Sequence, residues 1–362
     1  MNKYSSFMDE NVGRIMKGTF FLGSDSDRKF EVREMGDLGL LLGEHDVLVK
    51  NMAAGICGTD VHIYLGEKGS AEVTPPVVLG HEYSGVVEKI GASVQNVKVG
   101  DHVTVDPNIY CGKCRPCRMG HKQNCENLFA LGVNVDGGFA EYSICPDTQC
   151  FKLNDDIPFD IGAMTEPLSC VLHGVDLADM KSGESVLIIG GGTIGLMMAQ
   201  VMKISGADTV LVSEPVEKRR EIALSLGIDY VIDPVNSDLS EEIRKMTGRD
   251  GVDKVVECVG SLSAARDAIS SADTGGTILF FSVPKVDAKL ELPLFDVYKK
   301  ELKIVGSMIN PDTYQRAVNL INSGRIRVEP LITHVYPKER LEDAIRMQMS
   351  SDSIKVVVHP ND

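Results

Sequence analysis

The sequence predicts an α/β protein of two domains, one rich in β-structure and one built as a doubly wound sheet. Its 362 residues exceed the usual size of a single domain. Residues 1–150 carry short apolar runs separated by glycine and proline, which favour strands and turns. From residue 185 onward, apolar runs alternate with helical stretches, a pattern typical of a parallel sheet with crossover helices.

We expect residues 1–166 and 307–362 to form the β-rich domain and residues 167–306 to form the doubly wound domain. Strand candidates in the first domain are "DVLVKNMAAGI", "YSGVVEKIG" and "GDHVTVDP". The tail after residue 306 contains a helical stretch at 311–323, another near 338–349, and a final strand in "IKVVVHP". This tail is expected to return to the first domain.

The composition excludes several classes of protein. A net charge of −15 without a basic cluster disfavours nucleic acid as a partner. No run of 18 apolar residues occurs, so we expect no membrane span. Roughly the first fifteen residues form a polar extension without the apolar core of a secretory signal, so the cytoplasm is the expected location.

Four of the nine cysteines lie within residues 111–125, in the order C-x2-C-x2-C-x7-C. In a reducing compartment, clustered thiols are more often metal ligands than disulfides. One loop can wrap four thiolates around a zinc ion, and a closed shell of this kind is structural. A redox pair or an iron–sulfur cluster is the alternative, although no thioredoxin-like pattern surrounds these residues. The predicted ligands of this structural zinc are Cys111, Cys114, Cys117 and Cys125.

A catalytic metal must therefore lie elsewhere. "GICGTDVHIY" contains Cys57, "LGHEYSG" contains His81 and Glu82, and "TEPLSC" contains Glu166. A thiolate, an imidazole and a carboxylate form a plausible zinc shell with an open position. Each residue alone is weak evidence, because a single cysteine or histidine is usually a packing residue. Glycines beside Cys57 and His81 strengthen the set, because they allow close backbone approach.

A glycine turn marks a nucleotide site in the second half of the chain. The apolar run Ser185–Ile189 predicts a buried parallel strand, and residues 196–204 continue as an apolar helix. The turn between them reads G-x-G-x-x-G, and Glu214 follows 19 residues after its last glycine. Such a turn binds pyrophosphate at a helix N-terminus, while an acid at the next strand end binds ribose hydroxyls.

The acid favours NAD over NADP, because Glu214 would repel a 2′-phosphate. Arg219 lies nearby and could contact a phosphate, stack on adenine or lie in solvent. Further strands are expected at residues 254–258, 277–282 and 303–306, with helices at 240–247 and 264–271. This alternation completes the doubly wound sheet.

Six motifs in this order resemble the zinc-dependent medium-chain dehydrogenases, across residues 16–360. They are "GICGTDVHIY", "GHEYSG", the four-cysteine segment, "GGFAEY", "EPLSC" and "GGGTIG". The polyol (sorbitol-type) and L-threonine dehydrogenase branches are the most similar. The resemblance implies a GroES-like catalytic domain, a Rossmann domain and a catalytic zinc in the cleft between them.

By motif position, the resemblance implies that Cys57 and His81 bind the catalytic zinc, with the third ligand from Glu82 or Glu166. Asp60 would orient His81, although capping a helix is the simpler interpretation of that residue. Thr59 and His62, on the loop after Cys57, match the proton relay of the family, in which zinc polarises the alcohol and hydride departs to the nicotinamide.

The resemblance also assigns the cofactor contacts and an oligomeric state. A homodimer or homotetramer is expected by resemblance alone. Strand core is the simpler interpretation of the contacts expected from residues 281–283 and 307–308. The full set of expected contacts to NAD is Gly190, Gly192, Thr193, Ile194, Gly195, Glu214, Arg219, Phe281, Ser282, Val283, Ser307 and Met308.

The predicted activity is zinc- and NAD-dependent oxidation of a secondary alcohol to a ketone. The predicted substrate is a polyol or sugar alcohol, with a phosphorylated substrate left open, and L-threonine is the alternative. The L-threonine dehydrogenase branch usually carries Asp at the position of Glu166. Polyol dehydrogenases often carry a tyrosine at the position where this chain has Ile63. Zinc-free quinone-reductase-like relatives and a non-catalytic zinc-storage or redox-sensing protein are more distant alternatives.

Overall fold

A computed structural model describes residues 14–27, 29–67 and 72–362. The polar N-terminal extension predicted from the sequence lies mostly outside these residues. The chain divides into two compact units, the first comprising the described residues up to Pro167 with Pro311–Asp362, and the second comprising Leu168–Asn310. Among the described residues, no helix is both long and apolar enough to cross a bilayer.

The first unit is built around strands whose buried apolar residues pack into one core. Seven strands form its main sheet in the order β10-β6-β5-β3-β18-β17, with β9 also paired to β3. A three-stranded sheet, β2-β1-β4, packs with it. The strands of this unit are β1 (Met16–Phe21), β2 (Phe30–Met35), β3 (Asp46–Gly55), β4 (Val77–Val78), β5 (Glu82–Ile90), β6 (His102–Val105), β7 (Asn108–Ile109), β8 (Phe129–Ala130), β9 (Tyr142–Pro146), β10 (Cys150–Lys152), β17 (Ile332–Pro337) and β18 (Lys355–His359).

Most helices of the first unit are short, and the helix at residues 159–163 packs on the centre of the main sheet. The last strand, β18, pairs with β3, so the C-terminal tail adds strands to the main sheet of the first unit. The helices are α1 (Gly58–Leu65), α2 (Arg115–Arg118), α3 (Phe159–Ala163), α10 (Tyr314–Asn322) and α11 (Leu341–Gln348), and α4 (Thr165–Ala178) continues from this unit into the second.

The second unit is a six-stranded parallel sheet in the order β13-β12-β11-β14-β15-β16. The order reverses next to β11, which is where nucleotides bind in doubly wound folds. Its central strands are buried on both faces and carry almost continuous apolar runs. The elements are β11 (Ser185–Ile189), α5 (Thr193–Ile204), β12 (Thr209–Ser213), α6 (Glu217–Ser225), β13 (Tyr230–Ile232), α7 (Leu239–Thr247), β14 (Val252–Glu257), α8 (Leu262–Ser270), β15 (Ala272–Phe280), α9 (Leu294–Lys299) and β16 (Lys303–Gly306).

The predicted fold class is confirmed, and the differences in detail concern element ends. Helix α10 begins at Tyr314 rather than at residue 311, because Ile309 and Asp312 have left-handed φ angles of 46° and 59° that a helix cannot continue. The helix expected near 338–349 begins with a 3₁₀ turn at Lys338–Arg340 before α11. Both differences reflect local turn geometry that apolar periodicity does not encode.

Candidate metal centres and cofactor site

Cys57 comes together with His81 and Glu82 although two separate segments of chain carry them. One thiolate, one imidazole nitrogen and one carboxylate oxygen lie within 4.8 Å of one another. His81 and Glu82 are buried, and Cys57 is partly exposed. The donor types and their separation fit one zinc ion, and the accessible side of Cys57 leaves room for the open position of a catalytic site.

The sheet register explains why these residues meet. Cys57 follows β3 and caps the N-terminus of α1, while Glu82 begins β5 and pairs with Gly55 across the β3–β5 ladder. A Cβ atom at Gly55 would overlap the Glu82 carboxylate, so the missing side chain of this glycine leaves room for the carboxylate as placed. Gly80 has a φ of +92° and turns the chain into His81 while its open side packs on the Phe139 ring.

Asp60 caps helix α1 and also lies beside His81. One carboxylate oxygen accepts a hydrogen bond from the Cys57 backbone N–H at 2.9 Å and so caps α1. The other oxygen lies 3.8 Å from His81 Nδ1, and among the described residues neither of these buried atoms has a hydrogen-bond partner. Burial raises the pKa of Asp60. These two polar atoms face one another, an arrangement consistent with an imidazole oriented by a carboxylate.

The electrostatic field at this site favours a cation. Burial by itself would lower the pKa of His81, but the Cys57 thiolate and the Asp60 and Glu166 carboxylates outweigh it and raise that pKa well above its ordinary value. The same groups would attract a divalent metal ion at the same place. Glu166 lies buried in the first turn of α4 and acts on His81 electrostatically, but it is not part of the group of donors within 4.8 Å in the described chain.

Lys355 also contributes to this site, although it was not predicted from the sequence. Its ammonium group forms a buried ion pair with the Glu82 carboxylate and donates to the Ile56 carbonyl at 2.9 Å. Glu82 and the other acidic groups raise the pKa of Lys355 against the opposing effect of burial. A lysine inside the apolar run "IKVVVHP" was the available signal, because a buried lysine needs a charged partner.

The predicted relay residues lie on helix α1 and not on a loop, which corrects the sequence-based expectation. The Asp60 cap allows the helix to begin directly after Cys57. Thr59 is half-buried in the first turn. His62 Nδ1 lies 2.6 Å from a carboxylate oxygen of Glu67, and Gly66, with a φ of +71°, ends the helix so that the chain turns back toward His62.

The four-cysteine cluster is a separate and local construction. The sulfur atoms of Cys111, Cys114, Cys117 and Cys125 also lie within 4.8 Å of one another. Backbone N–H groups point at them, including Cys111 N to Cys125 Sγ at 3.3 Å. Backbone hydrogen bonds lower the pKa of Cys111 to about 6, whereas burial raises the pKa of Cys117 to about 12. Four thiol ligands with donors directed at sulfur fit a closed zinc shell.

The glycine turn has the geometry that a pyrophosphate requires. Gly190 has a φ of +105°, and a Cβ atom at Gly195 would overlap the Gly190 carbonyl. A Cβ atom at Gly192 would meet nothing within 4 Å, so the backbone there is open to a ligand. Thr193 and Ile194 follow as the first residues of α5, the helix whose N-terminus faces the turn.

Glu214 stands at the carboxyl end of β12 and touches the turn. Its carboxylate accepts hydrogen bonds from Gly191 N at 2.7 Å and from Val216 N at 2.9 Å. The Arg219 guanidinium lies 3.9 Å from the same carboxylate and is mostly buried. The acid is therefore positioned beside the glycine turn, where an adenosine ribose binds in this fold.

The remaining expected contacts follow β15 and β16. Phe281 packs against Gly174 of α4, and the Ser282 hydroxyl donates to the Glu257 carboxylate. Val283 and Met308 are about half exposed, and the Ser307 hydroxyl is buried without a hydrogen-bond partner in the described part of the chain. These positions lie at the carboxyl edge of the parallel sheet, together with the glycine turn.

Comparison with known proteins agrees with this architecture. The profile of the alcohol dehydrogenase GroES-like domain matches residues 43–155, and that of the zinc-binding dehydrogenase domain matches residues 193–323. The L-threonine 3-dehydrogenase of Bacillus licheniformis is 36% identical over 322 residues, covering 88% of this chain and 92% of that protein. D-arabinitol dehydrogenase 1 of Uromyces fabae is 34% identical over 324 residues, covering 89% and 92%.

A solved structure shows the same fold. A protein from Sinorhizobium meliloti 1021, described as a zinc-binding dehydrogenase and bound to NADP, superposes with a TM-score of 0.90 at 38% identity, covering 96% of this chain and all of that one. Two domain profiles and full-length relatives therefore define an oxidoreductase of the alcohol dehydrogenase type. The chain belongs to the zinc-dependent medium-chain dehydrogenase family.

Proposed function

We propose that this protein oxidises a secondary alcohol to a ketone and transfers the hydride to NAD at a catalytic zinc. The observation that carries the proposal is the group formed by Cys57, His81 and Glu82, whose donor atoms lie within 4.8 Å. Zinc held there would act as a Lewis acid on the alcohol oxygen, which favours loss of hydride from the adjacent carbon. Glu166 is the alternative third ligand, or one that exchanges with Glu82, because its negative charge contributes to the raised pKa of His81.

The chain's own residues would remove the hydroxyl proton. The Thr59 hydroxyl can accept it by hydrogen bond and pass it to the imidazole of His62, a side chain that can accept and release a proton. The Glu67 carboxylate can only accept, so His62 carries its hydrogen on Nδ1, 2.6 Å from Glu67. Nε2 of His62 is then the free acceptor for the relayed proton.

We propose NAD as the cofactor because the Glu214 carboxylate, held by Gly191, would repel a 2′-phosphate. The relative from Sinorhizobium meliloti bound NADP, which makes the choice worth testing directly. Glu214→Ala should raise the kcat/KM with NADP relative to NAD several-fold. An unchanged ratio would exclude Glu214 from cofactor selection.

We propose a polyol or sugar alcohol, with or without a phosphate group, as the substrate, and the similarity to D-arabinitol dehydrogenase 1 supports this choice. L-Threonine is the second candidate, supported by L-threonine 3-dehydrogenases of similar identity. Both classes present a secondary hydroxyl beside a second polar group, so the arrangement of the metal-binding residues serves either. A homodimer or homotetramer is proposed from the family resemblance alone.

The deciding experiment measures zinc content and NADH formation on the same purified sample. The panel contains polyols, their phosphates and L-threonine, with NAD and NADP in parallel. Two zinc ions per chain and turnover that chelation abolishes would support the proposal, and the best substrate would identify the branch. Metal analysis of Glu82→Gln and Glu166→Gln would identify the third ligand. One zinc per chain without turnover on any alcohol would overturn the catalytic assignment.

A further inference from the structure

Glu257 is a buried carboxylate at the carboxyl end of β14, the strand next to β11 in the middle of the parallel sheet. One of its oxygens accepts hydrogen bonds from the backbone N–H groups of Val259 and Gly260, both at 2.7 Å. The other accepts the Ser282 hydroxyl. Glu257 therefore binds two chain segments at once, the loop at residues 258–260 and the segment after β15.

The loop at residues 258–260 lies against the glycine turn. Cys258 N donates to the Ile189 carbonyl at 2.9 Å, directly before the turn. A Cβ atom at Gly190 would lie 2.8 Å from the Val259 side chain and 3.3 Å from the Cys258 carbonyl, so the turn and the loop are in close contact. The pyrophosphate-binding turn and this loop consequently form one packed layer.

The same loop also lies against the segment expected to flank the nicotinamide. Phe281 N and Ser282 N donate to the Glu257 carbonyl at 3.1 and 3.3 Å. Gly260 has a φ of +83°, and a Cβ atom there would lie 3.3 Å from the Val283 carbonyl. Main-chain and side-chain atoms of one residue thus set the spacing between the glycine turn and residues 281–283.

A buried carboxylate is costly unless donors satisfy it, and hydrogen bonds to an ionised acceptor are stronger than neutral ones. Asp253, at the opposite end of β14, illustrates a different role. It pairs with the Arg249 guanidinium at 2.7 Å and accepts from Ser185 N at 2.8 Å, far along the strand from the cofactor edge. The charge of Glu257 instead orders residues 258–260 and the Ser282 hydroxyl at the carboxyl edge of the parallel sheet.

We propose that Glu257 is a positioning residue for the dinucleotide, which holds residues 258–260 and Ser282 so that the nicotinamide half meets a preformed surface. The inference rests on the proposed cofactor site. It assigns Glu257 no contact with substrate. Its consequence is selective, because the adenosine half is held by the glycine turn and Glu214 and does not depend on Ser282.

The test compares direct binding of NADH with binding of ADP-ribose, which lacks the nicotinamide. For Glu257→Ala we expect the Kd of NADH to rise about tenfold, the loss of roughly one charge-assisted hydrogen bond. The Kd of ADP-ribose should change less than about twofold. NADPH is titrated in parallel so that a preference for either dinucleotide does not obscure the result.

Three further variants keep the test decisive. Glu257→Gln preserves the acceptor for Val259 and Gly260 and offers an amide to Ser282, so NADH binding should be largely restored. Ser282→Ala should raise the Kd of NADH about threefold, and it removes a single hydroxyl, so it tests the proposal even if Glu257→Ala does not fold. Asp253→Asn is the matched control and should lower the melting temperature without changing either Kd.

Equal weakening of NADH and ADP-ribose in Glu257→Ala would overturn the proposal, as would unchanged NADH binding in Ser282→Ala. Weakening in Asp253→Asn to the same degree as in Glu257→Ala would also overturn it, because binding would then only follow stability. A wild-type protein that binds NADH but oxidises none of the alcohols would refute the proposed function and leave this inference intact.

Discussion

The two cysteine-containing clusters are built in opposite ways. The group of Cys57, His81 and Glu82 is assembled from β3, α1 and β5, and Lys355 joins it from β18 near the C-terminus. The four-cysteine cluster lies within residues 111–125, and its sulfur atoms are approached by N–H groups of the same loop. The first depends on sheet register, whereas the second depends on one local turn. Damage to each should therefore have different consequences.

The largest effect is expected for Cys57→Ser. Replacing the thiolate removes the only sulfur donor of the group, and we expect kcat/KM to fall about a thousand-fold, the loss of several kcal/mol of Lewis-acid stabilisation. The melting temperature should stay near that of the wild type, because Cys57 lies at a partly exposed helix cap. Cys170→Ser, outside both clusters, is the control. Full activity in the Cys57 variant would remove this residue from the catalytic site.

Lys355→Met tests how far the group of Cys57, His81 and Glu82 depends on the C-terminal strand β18. The variant leaves the Glu82 carboxylate buried without its ammonium partner, which should cost roughly 3–5 kcal/mol in the free energy of unfolding. Urea denaturation measures the difference, and Lys355→Arg, which keeps the charge, is the matched control. A change below about 1 kcal/mol would show that Glu82 does not need Lys355.

Cys114→Ser should act on stability first. Opening a metal-closed loop of fifteen residues should cost about 3 kcal/mol, by analogy with a disulfide closing a loop of that length. Dinucleotide binding should be retained, and zinc content should fall by one ion per chain. If turnover disappeared while the melting temperature remained unchanged, the division between a catalytic and a structural cluster would be wrong.

The smallest effect concerns the strand that supports the first cluster. His359, at the end of β18, contacts Asp160 at 2.6 Å and Asp362 at 2.9 Å, and these partners raise the pKa of His359 from 6.5 to about 9. A raised pKa stabilises the fold fully below pH 6.5, and the contribution is lost as the pH rises to about 9. His359→Gln should therefore lower the melting temperature at pH 6 and have little effect at pH 9.5. A difference that does not change with pH would contradict this assignment.

Much of this architecture could be predicted from sequence, because its signals are local. The strand at Ser185–Ile189 and the glycine turn after it are encoded by an apolar run and three glycines within a few residues. The four-cysteine cluster could also be predicted, because all four cysteines are close in sequence. Cys57 and His81 were candidate ligands from their residue types and flanking glycines, and the family resemblance paired them, because no spacing rule relates residues 24 positions apart in separate segments.

Lys355 and Glu257 were not predicted, and the reason is physical. Lys355 meets Glu82 across 273 residues, a contact created by the pairing of β18 with β3. Glu257 lies at the end of an ordinary buried strand, and its significance comes from the donors supplied by Val259, Gly260 and Ser282. A charged residue in an apolar strand signals that a partner exists, but its position does not identify the partner.

The short ladder between β7 and β8 has a wider consequence. Asn108 pairs with Ala130 and Ile109 with Phe129, so the chain leaves and re-enters the domain at adjacent points around the four-cysteine cluster. Residues 110–128 contain no strand of their own, so replacing them with a brief turn between β7 and β8 would break no other strand. The same place is suitable for opening a circularly permuted chain or for grafting a foreign module.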